Sequence, residues 1–187
     1  MLSTESKKSE ASGNPYLIFR ARKEEFGLPA GRVSEIRTIP PALAEDLTKT
    51  AGLFCGSMSL HGQSIPVVDL GRHLGLGPIR PRKRHCLIVF VLDCGKSGPQ
   101  KVGVLVDAVS RVVPIPRERI SHNANGSPEV RGGAGRVRIN GRVKQLLDPD
   151  CLVSIEEFIA ALDGASEQQA PAVSLARQVG VHCTVKE

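Results

Sequence analysis

A mainly β fold, small barrels or a sandwich with few helices, is what this chain of 187 residues predicts. Three observations carry that expectation. About nine short runs rich in β-branched and aliphatic residues recur between Gly and Pro punctuation, the pattern of strands joined by tight turns. Asn140-Gly141 separates two such runs, and both residues tolerate the positive φ that a type I′ hairpin demands. Helical periodicity is confined to one segment near the C-terminus and two weaker ones.

In chain order, residues 1–14 are small, polar and charged and run into Pro15, which reads as a flexible N-terminal tail. Strand-like runs follow at Tyr16–Ala21 and Glu25–Pro29, then a weak helix candidate at Leu43–Lys49. Leu53–Leu60 and Ser64–Asp69 are strand-like, with His61-Gly62 between them as a tight turn, and Leu70–Leu74 is a second weak helix. Cys86–Asp93, Lys101–Val106 and Val109–Pro114 supply three more strands, and Arg136–Asn140 pairs with Val143–Leu147 across the Asn-Gly turn. The clearest helix is Ser154–Leu162. Ser154 caps it, Glu157 stands three residues on as in a capping box, and Ile155, Phe158, Ile159 and Leu162 share one face. Residues 164–187 form a C-terminal tail without a firm pattern beyond a short strand within 173–185. One domain, residues 15–163, lies between the tails.

Composition narrows the function. The chain is 41% hydrophobic and 24% charged, with one Tyr, five Phe and no Trp, so it is globular with an aliphatic core. The longest apolar run, Cys86–Leu92, is seven residues, far short of the roughly 20 of a membrane-spanning helix. No apolar stretch follows Lys7 and Lys8, so no secretory signal is read and a cytoplasmic location is expected. Five cysteines without a CxxC pair are expected to be reduced, with Cys86 and Cys151 as small core residues. The net charge of +6 is uneven: ten of the 25 basic residues fall in two acid-free segments, Leu70–Leu92 and Val130–Leu147.

No residue pattern carries catalysis. The five histidines have no HxxxH or HExxH spacing and none pairs with a cysteine as a zinc ligand set would, so no metal or cofactor is expected. There is no GxSxG, and Gly132–Arg136 lacks the GK[ST] and following helix of a P-loop. Nucleic-acid binding is the rival suggested by the basic segment Pro78–His85. Single-strand binders of the barrel type also need aromatic platforms, which this chain lacks, so a solvated loop or one facing an acidic protein is the better reading. The residues alone point to a non-catalytic binding module.

Three stretches in order resemble the CheW family of chemotaxis adaptors. They are Glu25–Pro29 followed by Val33-Ser34-Glu35-Ile36-Arg37, similar to the family's V-x-E-I element; Cys55–Gly62 running into Ile65-Pro66-Val67-Val68-Asp69-Leu70, similar to G-x-x-N-L-R-G-x-x-x-P-V-V-D-L; and Val102–Val109 with the closing Leu146–Leu152. The resemblance spans about residues 16–162 and implies two small five-stranded SH3-like β-barrels packed around a shared aliphatic core, without enzymatic activity. It implies two partners: the regulatory domain of a CheA-like histidine kinase on one barrel edge, and the helical tip of a chemoreceptor in the groove between barrels. By the same resemblance Val33, Glu35, Ile36, His61 and Gly62 bind partners, while Ile65, Val67 and Leu70 form core or groove wall. His61 stands where the family has the arginine that pairs with Glu35, and imidazole cannot imitate a guanidinium fork. A changed receptor contact is therefore expected. Val33 and Ile36 are expected on an edge, contributing to binding more than to stability.

Overall fold

The computed structural model describes residues 13–49, 53–79, 84–94, 98–122, 132–153 and 173–174. Its strands form two sheets. The first contains β1 (Asn14–Ala21), β2 (Glu24–Pro29), β8 (Ala108–Ile115), β9 (Gly133–Ile139) and β10 (Arg142–Leu147) in the order β8-β1-β2-β10-β9. The second contains β3 (Val33–Ile39), β4 (Phe54–Leu60), β5 (Gln63–Asp69), β6 (His85–Asp93), β7 (Pro99–Val106) and the two-residue β11 (Val173–Ser174) in the order β11-β4-β5-β7-β6-β3. Helices are short: α1 (Pro41–Lys49), α2 (Leu70–His73) and α3 (Pro149–Leu152).

Side-chain alternation explains why so many strands read as continuous apolar runs. A core between the sheets takes Leu17, Phe19 and Ala21 of β1, Ile88, Phe90 and Leu92 of β6, and Val102, Val104 and Val106 of β7. The other face of the second sheet has its own core, with Leu87 and Val89 of β6, Leu105 of β7, and Leu43, Ala44 and Leu47 of α1. A third core on the first sheet contains Ile18, Ile115, Val137, Ile139 and Leu146. Central strands thus have both faces buried, which Val, Ile and Leu satisfy and a half-exposed alternation does not.

The two-sheet, mainly β architecture with few helices agrees with expectation, and the strand counts differ in detail. The second sheet has six strands because Val173 and Ser174 pair in parallel with Met58 and Ser59. No ladder joins β8 to β9 or β3 to β4 among the described residues, so the hydrogen-bonded strand order of each sheet is open. A lone bridge between Ser121 and Arg136 nonetheless returns the chain leaving β8 to β9. The expected helix Ser154–Leu162 lies outside the described residues. Immediately before it, α3 is capped by Asp148, whose side chain accepts the Asp150 amide at 3.0 Å. Cys151 on that helix is exposed rather than in the core, because a four-residue helix turns only part of its surface inward.

Two turns are set by backbone conformation. Asn140 and Gly141 have φ of 51° and 75°, and His61 and Gly62 have 50° and 77°, so both connections place two residues in the left-handed region. A histidine there carries a steric cost that glycine does not. The β5–α2 junction is held by Asp69, whose fully buried side chain accepts the amides of Arg72 at 3.2 Å and Ile79 at 3.1 Å and faces the Arg72 guanidinium at 3.6 Å.

Two stability measurements follow from these contacts. Asp69→Ala should cost about 2–3 kcal/mol in urea unfolding, because it strips acceptors from enclosed amides; a loss below ~0.5 kcal/mol would show that water replaces them. At the turn, His61→Val should cost about 1–2 kcal/mol while His61→Gly leaves stability nearly unchanged. Equal stabilities of those two variants would contradict the left-handed turn.

Candidate functional site

The V-x-E-I stretch forms β3, the edge strand of the second sheet. A bulge shapes it: Val33 pairs with Phe90 and Glu35 with Val89, leaving Ser34 as the extra residue, and the Ser34 hydroxyl donates to the Val89 carbonyl at 3.1 Å. The extra residue resets the alternation. Val33 and Ile36, three apart, therefore both pack against the shared core, while Ile39 enters the second sheet's own core. Glu35 and Arg37 continue the Ile39 face toward solvent. Val33 and Ile36 are half-buried, so they support the fold as well as lining the edge.

Glu35, Arg37 and His61 meet at one corner. The Glu35 carboxylate pairs with Arg37 Nε and lies 3.2–3.3 Å from His61 Nε2, which in turn is 3.2 Å from Arg37 Nη2. A single imidazole nitrogen cannot serve both neighbours at once. It donates to Glu35 when it carries a hydrogen and accepts from Arg37 when it does not. The side chains are 22%, 44% and 63% exposed for Glu35, Arg37 and His61, so a partner can reach all three. Ion pairs this exposed contribute only tenths of a kcal/mol to stability.

His61 is on the surface of its turn, as expected, but Glu35 does not lack a guanidinium. Arg37, two residues along the same strand, supplies it. The one sequence signal for Arg37 is its i, i+2 spacing from Glu35, which puts both on one face once the stretch is a strand. Gly62 completes the turn, with open space where a Cβ would project. The remaining predicted residues do not join this corner. Ile65 and Val67 are buried in the second sheet's core and Leu70 in the shared core.

Among the described residues no group of three His, Cys, Asp or Glu side chains is arranged to hold a metal. Burial pushes the Cys55 thiol up to about 12, and it donates to the Val67 carbonyl at 3.3 Å, so it is protonated and unreactive at neutral pH. No described helix is long and apolar enough to cross a membrane.

The CheW-like domain model matches residues 15–157. A probable chemotaxis protein CheW from Rhizobium etli is 32% identical over 157 residues, covering 82% of this chain and 97% of that protein. The chemotaxis protein CheW of Klebsiella aerogenes is 28% identical over 153 residues, covering 80% and 87%. In structure, the scaffolding protein TtCheW from Thermoanaerobacter tengcongensis superposes with a TM-score of 0.63 over 78% of this chain and 95% of that one, at 21% identity. The two-sheet fold, with its bulged V-x-E-I edge strand beside the His61 turn, belongs to a member of the CheW-like family of chemotaxis coupling adaptors.

Proposed function

We propose that this chain acts without catalysis in the cytoplasm, joining a chemoreceptor or a related sensory array to a CheA-type histidine kinase. The observation that carries the reading is the family match across residues 15–157. Relatives named as chemotaxis proteins support it, and none supports the nucleic-acid alternative.

In this reading residues 15–163 are the working unit and each sheet behaves as one small SH3-like barrel. The Ser121–Arg136 bridge, which brings the chain back to β9, supports that for the first sheet. A barrel edge takes the kinase regulatory domain. The receptor's helical tip lies between the sheets, a helix-in-groove mode with anchors at i, i+3 and i+4. Val33, Glu35, Ile36, His61 and Gly62 form the docking corner, with Arg37 added to them. Charges so exposed give specificity: a partner that fails to match them leaves them desolvated and unpaired. The half-burial of Val33 changes one expectation, since Val33→Asp would place a carboxylate against the shared core and lower stability along with binding.

Glu35→Gln gives the cleaner test, because it removes a charge from an exposed trio. Calorimetric titration of the full chain should detect binding to both a CheA-type regulatory domain and a receptor-tip fragment. Glu35→Gln should weaken the receptor fragment about fivefold and leave the melting temperature and the kinase affinity unchanged. Absence of binding to both partners would refute the reading, and unaltered receptor affinity would remove Glu35 from the contact.

A further inference from the structure

Away from the Glu35 corner, the first sheet bears a cleft of about 860 Å³ beside the β1–β2 hairpin turn. Five of its lining side chains are cationic: Arg20, Arg22, Lys23, Arg136 and Arg142. Two carboxylates, Glu24 and Glu25, stand against them, and one is already answered. Lys144, only 4% exposed, pairs with Glu25, and that hydrogen bond is the main reason the Glu25 carboxyl is held below its ordinary range, with Arg142 and Arg111 adding to the effect. With Glu25 paired to Lys144, the cations of the lining outnumber its carboxylates.

One of these cations sits on an unfavourable backbone conformation. Arg22 has φ of 61°, a region that costs a non-glycine residue free energy. Asp107, itself buried, accepts the Arg22 amide and donates its own amide to the Arg20 carbonyl at 2.9 Å, while Arg22 Nε donates to the Leu76 carbonyl at 3.3 Å. Glycine or asparagine would satisfy that turn more easily, yet a long cation occupies it. Val143, 56% exposed, and Leu76 add apolar surface to the same cleft.

We infer that this cleft docks an acidic, partly apolar segment of a partner protein, at a surface separate from the Glu35 corner. The cations come from four different places, β1, its turn, β9 and β10, rather than from one cradle of backbone amides as in a phosphate site. No aromatic side chain lines the cleft, whereas a nucleic-acid strand needs stacking platforms. An extended peptide with carboxylates flanking an apolar residue matches both the charge and the exposed Val143. The inference stands independently of the receptor and kinase contacts.

The test is fluorescence anisotropy of the full-length protein with a labelled dodecapeptide of alternating Glu and Leu, its Gln-for-Glu counterpart, and a single-stranded oligonucleotide of equal charge. The acidic peptide should bind, weaken steeply with added salt and exceed both other probes. Combining Arg22→Asn, which suits the left-handed turn, with Arg20→Gln and Arg142→Gln should weaken it roughly tenfold while the melting temperature holds. Arg117→Gln, on an exposed turn outside the cleft, should change affinity less than about twofold. No peptide binding, equal loss in the Arg117→Gln control, or tighter binding of the oligonucleotide would each overturn the inference.

Discussion

Each central strand divides its side chains between two interiors. On β6, Ile88, Phe90 and Leu92 enter the core between the sheets while Leu87 and Val89 enter the second sheet's own core. A one-residue slip would exchange the two sets, so register is fixed from both sides. The packing is tight enough to dictate small residues: a Cβ on Gly103 would lie 3.0 Å from Leu87. In the shared core Phe19 and Phe26 stack with ring centroids 5.9 Å apart, cross-strand partners on β1 and β2. With the strand interiors committed in this way, exposed chemistry is left to edges and turns. The bulged edge β3, the His61 turn and the Arg22 turn are where the polar groups gather.

Most strands were legible because their apolar runs are bounded by Gly, Pro or turn pairs. The exception by pattern alone was β3. Its sequence Val-Ser-Glu-Ile-Arg-Thr-Ile does not alternate until Ser34 is recognised as a bulge, and a bulge is a property of the pairing with β6 that one strand's sequence does not display. The family motif found that stretch where periodicity did not. Arg37 was missed for a related reason: its partnership with Glu35 depends on the stretch being a strand. Contacts between distant residues were out of reach altogether. Glu25 with Lys144 and Arg32 with Asp150 join residues more than a hundred positions apart, and nothing in the local sequence marks Asp107 as the group that holds Arg22.

The positive charge illustrates the same division. Sequence located two acid-free basic segments, and from the second Arg136 and Arg142 do reach a common surface. Their neighbours there, Arg20, Arg22 and Lys23, come from the first hairpin, where Glu24 and Glu25 disguise the concentration of cations. Folding neutralises Glu25 with Lys144 and so leaves a more positive surface than the linear count implied.

Coupling requires one chain to hold two partners at once. Co-sedimentation of receptor-containing membranes with a CheA-type kinase, with and without this protein, measures that property directly. If the chain couples the two, the kinase reaches the membrane pellet in proportion to added protein. Kinase remaining in the supernatant, with the protein itself bound to the membranes, would contradict it.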